Sequence, residues 1–175
     1  MAATRTTAPL NGVKLDTVGE LAGAILEDGD KADTTWSASV TWNEGFRSEA
    51  TIREFGPIPS DEPQGLGGDD SAPNPVEQLL ASLGNCLAVG YAANASASGI
   101  EIRDLKIDLT GDLNLRTFLG LHETGNAGYE GIKVNVHLDT DASDEAVQEL
   151  HEKVVGTSPV GHTLSRPVPV SIDLA

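Results

Sequence analysis

The chain has 175 residues, which fits a single domain, and its aromatic content of 4% predicts a core of Leu, Val, Ile and Ala. The formal net charge of −16 argues against a nucleic-acid partner, because phosphate recognition needs clustered Lys and Arg, and it also argues against binding to anionic membranes. The chain contains no apolar run of the roughly 18 residues that a membrane helix requires.

The N-terminus and the cysteine content predict the compartment. The first ten residues lack the apolar segment of a signal peptide, so we expect no export. Cys86 is the only cysteine, which rules out an internal disulfide and favours a cytoplasmic protein with a free thiol. We expect residues 1–11 to form a flexible tail and residues 12–175 to form one domain.

The first part of the chain predicts a helix followed by a hairpin. Apolar residues at helical spacing indicate a helix from Asn11 to Asp28, so that residues 12–28 form an N-terminal helix. Residues 36–42 alternate as in a strand, a turn signal follows at 43–45, and residues 50–55 predict the second strand. Residues 56–73, rich in Gly, Pro and Asp, predict a long loop.

The strongest helix signal begins at Asn74. Asn74 is a good N-cap, Pro75 suits the first helical position, and Glu77 completes a capping box. We predict a helix from there to Ser98, in which Gly84 and Gly90 weaken helix propensity but allow close packing.

The last part of the chain predicts strands and one further helix. Alternation predicts strands at 101–115, 132–138 and 168–174, with a short turn at 116–121 and a helix at 144–155 that Ser143 caps. Its proline places the last strand at an edge or limits its pairing. The element order α-β-β-α-β-β-α-β is typical of an α+β fold with antiparallel sheets.

Motifs for metal and cofactor chemistry are missing from the sequence. His151-Glu152 begins like a zinc-protease helix, but Val155 occupies the position of the second histidine. The four histidines show no metal-ligand spacing, and the chain has no phosphate-binding loop. We therefore expect neither a metal nor a cofactor.

Cys86 is the residue with chemical potential. On a helical wheel it shares an apolar face with Leu79, Leu83 and Val89, where a cysteine usually serves as a small buried hydrophobe. A reactive thiol needs a nearby cation or a helix N-terminus. Because Cys86 lies about three turns into its helix, activation must come from a side chain elsewhere in the fold or from a second subunit.

Three segments resemble the OsmC/Ohr family. Residues 74–87, NPVEQLLASLGNCL, are similar to the family's central helix, in which a proline precedes the first cysteine by eleven residues. Residues 158–164, SPVGHTL, resemble its Cys-Pro-Val-x-x-Thr/Ala-Leu segment, and residues 111–121 with 128–130 look like one OsmC-like branch. The resemblance covers residues 34 to 174.

The resemblance implies a fold and a chemistry. The fold is an intertwined homodimer with antiparallel sheets around a long central helix and two sites at the subunit interface. In active members the first cysteine, here Cys86, attacks an organic hydroperoxide, an Arg and a Glu hold and activate it, and a second cysteine resolves the sulfenate as a disulfide.

The chain departs from the family pattern at two positions. The resolving cysteine is replaced by Ser158, which we interpret as a helix cap or turn residue. The acid falls one position late, at Glu77, about 900° of helical rotation from Cys86, so a capping role is favoured over catalysis. For the activating guanidinium, Arg47 fits best and Arg53 is the rival, although either is also an ordinary charge of a hairpin.

Three hypotheses follow. The first is a one-cysteine, peroxiredoxin-type organic hydroperoxide reductase in oxidative stress defence, which needs an external thiol reductant. The second is a non-catalytic homodimer that binds a small apolar ligand in an interface pocket with Cys86 in its wall. The third is other thiol chemistry at Cys86, such as alkylation or acyl capture.

Overall fold

The computed structural model describes residues 9–174, so residues 1–8 of the predicted tail lie outside the described chain. The described residues group into two compact units, residues 9–15 with 82–174 and residues 16–81. No helix among them is long and apolar enough to cross a membrane. Together they form a mixed α+β fold with antiparallel sheets and one long helix, as predicted.

The unit of residues 16–81 contains the predicted N-terminal helix and a hairpin, but the second strand of the hairpin lies earlier in the chain than the predicted residues 50–55. Helix α1 spans Leu15–Glu27, and strands β1 (Ser39–Glu44) and β2 (Arg47–Thr51) pair antiparallel around a turn in which Gly45 has a φ of 59°. A third strand, β3 (Ile58–Ser60), pairs with β2 inside the segment predicted as a loop. Three residues with a central proline carry no alternating pattern, which explains why the sequence did not reveal it.

The remainder of that loop is organised around a buried carboxylate. Asp61 is 1% exposed and accepts hydrogen bonds from the backbone N–H groups of Glu62, Asp69 and Ser71 and from the Ser71 hydroxyl, at 2.8–3.2 Å. The hydrogen bond from the Ser71 backbone lowers the pKa of Asp61, against the opposing effect of burial. The loop also passes so close to itself that a Cβ at Gly68 would lie 1.9 Å from the Glu62 carbonyl oxygen.

The long helix, α2, spans Pro75–Ala97 and begins with the predicted capping box. The Asn74 side chain accepts from the backbone N–H of Glu77 at 2.9 Å, and the Glu77 carboxylate accepts from the backbone N–H of Asn74 at 2.9 Å. Both interpretations, Asn74 as the N-cap and Glu77 as the capping-box acid, are therefore confirmed.

The other unit contains a two-stranded sheet and three helices in addition to the greater part of α2. Strands β4 (Asp104–Leu113) and β5 (Tyr129–Asp139) pair antiparallel, and the short helix α3 (Leu115–Phe118) stands between them in the chain. Helix α4 (Asp144–Thr157) is capped by Ser143 as predicted, and helix α5 (Pro159–Ser165) follows it directly.

The core of this unit lies where α2 meets α4 and the β4–β5 sheet. The buried residues are Leu83, Leu87, Tyr91 and Ala95 of α2 with Leu150 and Val154 of α4. A Cβ at Gly84 would lie 2.8 Å from Leu109, and one at Gly90 would lie 3.0 Å from Val154. The two glycines thus permit close packing on α2, as the sequence indicated.

The predicted strand at 168–174 is wrong for the isolated chain. Residues 167–174 form no ladder with any described strand, and Val170 and Ile172 are 78% and 92% exposed. Extended backbone becomes a strand only when another strand supplies hydrogen bonds, and Pro167 and Pro169 each remove a donor.

Residues 10–12, by contrast, are tied to the C-terminal end of α2. The Asn11 side chain donates to the Ser96 hydroxyl at 3.1 Å and to the Ile100 carbonyl at 2.9 Å, and it accepts from the Ile102 backbone N–H at 2.8 Å. Asn11 achieves this with a positive φ of 51°. These bonds anchor the start of the described chain.

Candidate functional site

Cys86 and Ser158 lie in contact, although 72 positions separate them in the chain. Cys86 is half-buried on α2, and Ser158, 4% exposed, occupies the junction between α4 and α5. The Cys86 sulfur and the Ser158 hydroxyl oxygen are 3.3 Å apart, within hydrogen-bond distance for sulfur. The fold therefore brings together the predicted nucleophile and the residue at the resolving position.

The local sequence explains how Ser158 is held. Pro159 suits the first turn of α5, and Ser158 is its N-cap, with the side-chain oxygen accepting from the backbone N–H of Gly161 at 3.1 Å. A Cβ at position 161 would lie 3.0 Å from that oxygen, so glycine leaves the cap undisturbed. The interpretation of Ser158 as a helix cap is confirmed.

The cap also determines what Ser158 offers to the sulfur. Because the hydroxyl oxygen already accepts from Gly161, the hydroxyl hydrogen is available to the Cys86 sulfur. A hydroxyl donor stabilises an anionic sulfur more than a neutral one, since hydrogen bonds to charged groups are the stronger kind. The pair is thus suited to hold a thiolate.

A cavity of about 640 Å³ adjoins this pair. Its walls come from α2, β5, α4 and α5 and are mainly apolar: Leu83, Leu87, Ile132, Val134, Val136 and Val155. Ser158 belongs to the lining, whereas Cys86 does not. The sequence hypothesis placed Cys86 in the wall of a ligand pocket. In this unit the Cys86 sulfur lies behind the wall, within hydrogen-bond distance of the lining residue Ser158.

A tyrosine–histidine pair forms one polar part of the cavity wall. The hydroxyl of Tyr91, which is 2% exposed, is hydrogen-bonded to Nδ1 of His151. Burial raises the pKa of Tyr91 above its ordinary value of 10.0, so the phenol stays protonated at neutral pH and can donate to the imidazole. The sequence did not indicate this pair, because Tyr91 and His151 lie on different helices, 60 positions apart in the chain.

His162 and Arg166 form the other polar part of the wall. Within the described residues, the imidazole of His162 and the guanidinium of Arg166 have no hydrogen-bond or ion-pair partner. The lining includes no Asp or Glu, although the chain contains 27 acidic residues. His162 lies on α5 and Arg166 directly follows the end of that helix in extended backbone, so no helical spacing in the sequence marked the two as neighbours.

The arginines predicted to activate the thiol lie in the unit of residues 16–81. Arg47 forms ion pairs with Asp69 at 2.6 Å and Glu44 at 3.0 Å. Arg53 has a positive φ of 51°, and its guanidinium lies over the ring of Phe55 at 4.7 Å from the centroid. Their assignment to the thiol stays a prediction, as does a catalytic role for Glu77 beside its confirmed capping role.

Comparison with known proteins supplies the family. The model of the family described as OsmC-like protein matches residues 68–173. A comparison with curated protein sequences finds no match.

Solved structures agree with that family match. An OsmC-like protein from Mycoplasma pneumoniae matches with a TM-score of 0.66 and 22% identity over 76% of this chain and 89% of that one. The organic hydroperoxide resistance protein OsmC from Legionella pneumophila matches at 0.57 and 16% over 75% and 91%. An organic hydroperoxide resistance protein from Elizabethkingia anophelis, with thiocyanate bound, matches at 0.54 and 19% over 74% and 89%. At these identities the likeness establishes the fold.

Proposed function

The chain belongs to the OsmC-like protein family, and on this premise we propose that it is a one-cysteine, thiol-dependent organic hydroperoxide reductase with Cys86 as the nucleophile. The observation that carries the proposal is the Ser158 hydroxyl, 3.3 Å from the Cys86 sulfur and itself fixed by the Gly161 backbone. It supplies a positioned donor to a thiolate at the position where the family carries its reactive cysteine.

The proposed reaction proceeds in two stages. The Cys86 thiolate attacks the terminal oxygen of the hydroperoxide, an S–O bond forms while the O–O bond breaks, and the alkoxide leaves as an alcohol after taking a proton. Cys86 becomes a sulfenic acid, oxidised by two electrons. Because Ser158 has no thiol, an external thiol must then displace water to give a mixed disulfide, and a second thiol releases Cys86.

Oxidation of Cys86 by an organic hydroperoxide tests this function. With cumene hydroperoxide, the sulfenic acid is expected to form, to be trapped by a dimedone reagent, and to disappear on addition of a small thiol. The Cys86→Ser variant should form none. Oxidation of the native protein no faster than that of free cysteine would sink the proposal.

The role of Ser158 is tested by thiol reactivity. Ser158→Ala is expected to slow alkylation of Cys86 at pH 7 about threefold, because the lost hydrogen bond to a charged group is worth roughly 1.5 kcal/mol and the weaker nucleophilicity of a stabilised thiolate offsets about half of its effect on the rate. Ser143→Ala, which removes the cap of α4, is the matched control and should leave the rate unchanged. Equal slowing in both variants would mean that lost stability, rather than the hydroxyl, controls the thiol.

We further propose that a second copy of the chain completes the molecule as a homodimer. The β4–β5 sheet has two strands, which is marginal for an independent sheet, and the extended segment 167–174 presents exposed Val170 and Ile172. In size-exclusion chromatography with light scattering, Ile172→Asp should shift the mass towards the monomer, while the neighbouring Ser171→Asp should not. A native mass of one chain would contradict the proposal.

The alternative function is ligand binding without catalysis. The apolar walls of the cavity beside Ser158 favour it, although Cys86 is not among the residues that line this cavity. It predicts that ligand binding persists in a protein whose Cys86 reacts with peroxide no faster than free cysteine.

A further inference from the structure

The cavity beside Ser158 combines two properties that together indicate one class of ligand. Most of its wall is aliphatic, and its volume of about 640 Å³ falls in the range that holds a drug-sized molecule. A ligand that gains from this wall needs an apolar body, because burying apolar surface supplies the free energy of binding.

The polar part of the wall carries the opposite sign of charge from the protein as a whole. The formal net charge of the chain is −16, yet the lining holds one arginine, two histidines and no carboxylate. Such an arrangement is a local attractive site for an anion on a molecule that otherwise repels anions.

The guanidinium of Arg166 is available to a ligand. Arg47 and Arg103 are each engaged by two carboxylates, whereas Arg166 has no ion-pair partner within the described residues. Its planar set of donors matches a carboxylate, which it can bind through two parallel hydrogen bonds. His162 lines the same cavity and can supply a further N–H.

We infer that this cavity binds an amphipathic monoanion, a carboxylate on an aliphatic tail, with the carboxylate on Arg166 and the tail against Leu83, Leu87 and Val134. The site requires no chemistry at Cys86, because the proposed contacts to the ligand come from Arg166 and the apolar wall. It therefore goes beyond the proposed peroxide reduction, and it stands or falls separately from it.

Three ligands with the same ten-carbon chain test the inference: decanoate, decanol and decyltrimethylammonium. Isothermal titration calorimetry on the full-length protein, in the absence of peroxide and below the aggregation concentration of each ligand, is expected to show saturable binding of decanoate. Decanol and decyltrimethylammonium should bind at least tenfold more weakly. Added salt should weaken the binding of decanoate, because Arg166 is exposed to solvent at the edge of the cavity.

Variants of two arginines in the same unit locate the site. Arg166→Gln should lose about ten- to hundredfold in affinity for decanoate, the range for one charge-assisted contact. Arg166→Lys should retain only part of it, because lysine keeps the positive charge but cannot form the two parallel hydrogen bonds. Arg116→Gln, outside this cavity, should bind like the native protein. Circular dichroism confirms that each variant is folded.

Three results would overturn the inference. Decanol binding as tightly as decanoate would make the cavity a neutral apolar pocket. Equal losses for Arg166→Gln and Arg116→Gln would make the attraction non-specific. No saturable binding of decanoate to a stable dimer would mean that a second copy of the chain fills the cavity.

Discussion

The contact between Cys86 and Ser158 predicts that one substitution, Ser158→Cys, creates an internal disulfide. The two side-chain atoms are 3.3 Å apart, so the sulfurs need to approach by little more than 1 Å to bond. One equivalent of a mild oxidant should therefore consume both thiols, and the cross-link should lie within one chain, so that no disulfide-linked pair of chains appears in denaturing electrophoresis without reductant.

The stability change follows from the chain positions. The cross-link joins residues 72 positions apart, and closing a loop of that length lowers the entropy of the unfolded chain by an amount worth about 4 kcal/mol at 25 °C. Loss of the α5 N-cap costs about 1 kcal/mol in both redox states. The oxidised variant should be about 3 kcal/mol more stable than the native protein, and the reduced variant about 1 kcal/mol less stable.

Thiol counting and denaturant unfolding check these values. Each variant is unfolded in urea with and without reductant, and free thiols are counted before and after oxidation. Ser165→Cys is the matched control, because it places a second cysteine on α5 without a hydrogen bond to Cys86. If Ser158→Cys keeps two free thiols after oxidation, the Cys86–Ser158 contact does not exist in solution and the reasoning fails.

Three further predictions concern stability. Gly68→Ala should lower the free energy of unfolding in urea by about 1–3 kcal/mol, because the added Cβ would overlap the Glu62 carbonyl. Gly65→Ala, whose Cβ meets nothing within 4 Å, should lower it far less, and equal effects of the two substitutions would refute the overlap. Asn11→Gly should lower the free energy of unfolding by about 2–3 kcal/mol, because three hydrogen bonds are lost, although glycine adopts the positive φ at this position more readily than asparagine. An unchanged midpoint of urea unfolding would show that residues 10–12 are not anchored. The pKa of Asp61 is lowered in the fold, so the contribution of this carboxylate to stability is present above its ordinary pKa of 3.8 and is lost as the pH falls through the folded-state pKa. The difference in unfolding free energy between the native protein and Asp61→Asn should therefore shrink below pH 3.8. A difference that stays constant with pH would contradict this prediction.

Local signals were sufficient for most of the elements. The capping box of Asn74 and Glu77 marks the start of α2, and the alternation at 132–138 lies within β5, because caps and side-chain periods are properties of neighbouring residues. The family resemblance rests on the same local pattern, which includes the spacing from Pro75 to Cys86.

Strand pairing was less predictable, because a strand depends on its partner. Strand β3 forms because it pairs antiparallel with β2, although the sequence of its three residues does not predict a strand. Residues 168–174 have a strand-like sequence, yet no described strand pairs with them. The same dependence on a partner is the physical basis for proposing a second copy of the chain.

The sequence by itself determined the position of the single thiol, Cys86, and the helix that carries it, because that helix is set by local capping and composition. Only the tertiary structure decided that the Ser158 hydroxyl lies within hydrogen-bond distance of the Cys86 sulfur. It also decided that His162 and Arg166 line the same apolar cavity as the Tyr91–His151 pair. Such contacts join residues far apart in the chain, and they form because packing α2, α4, α5 and β5 together buries more apolar surface than any single element can.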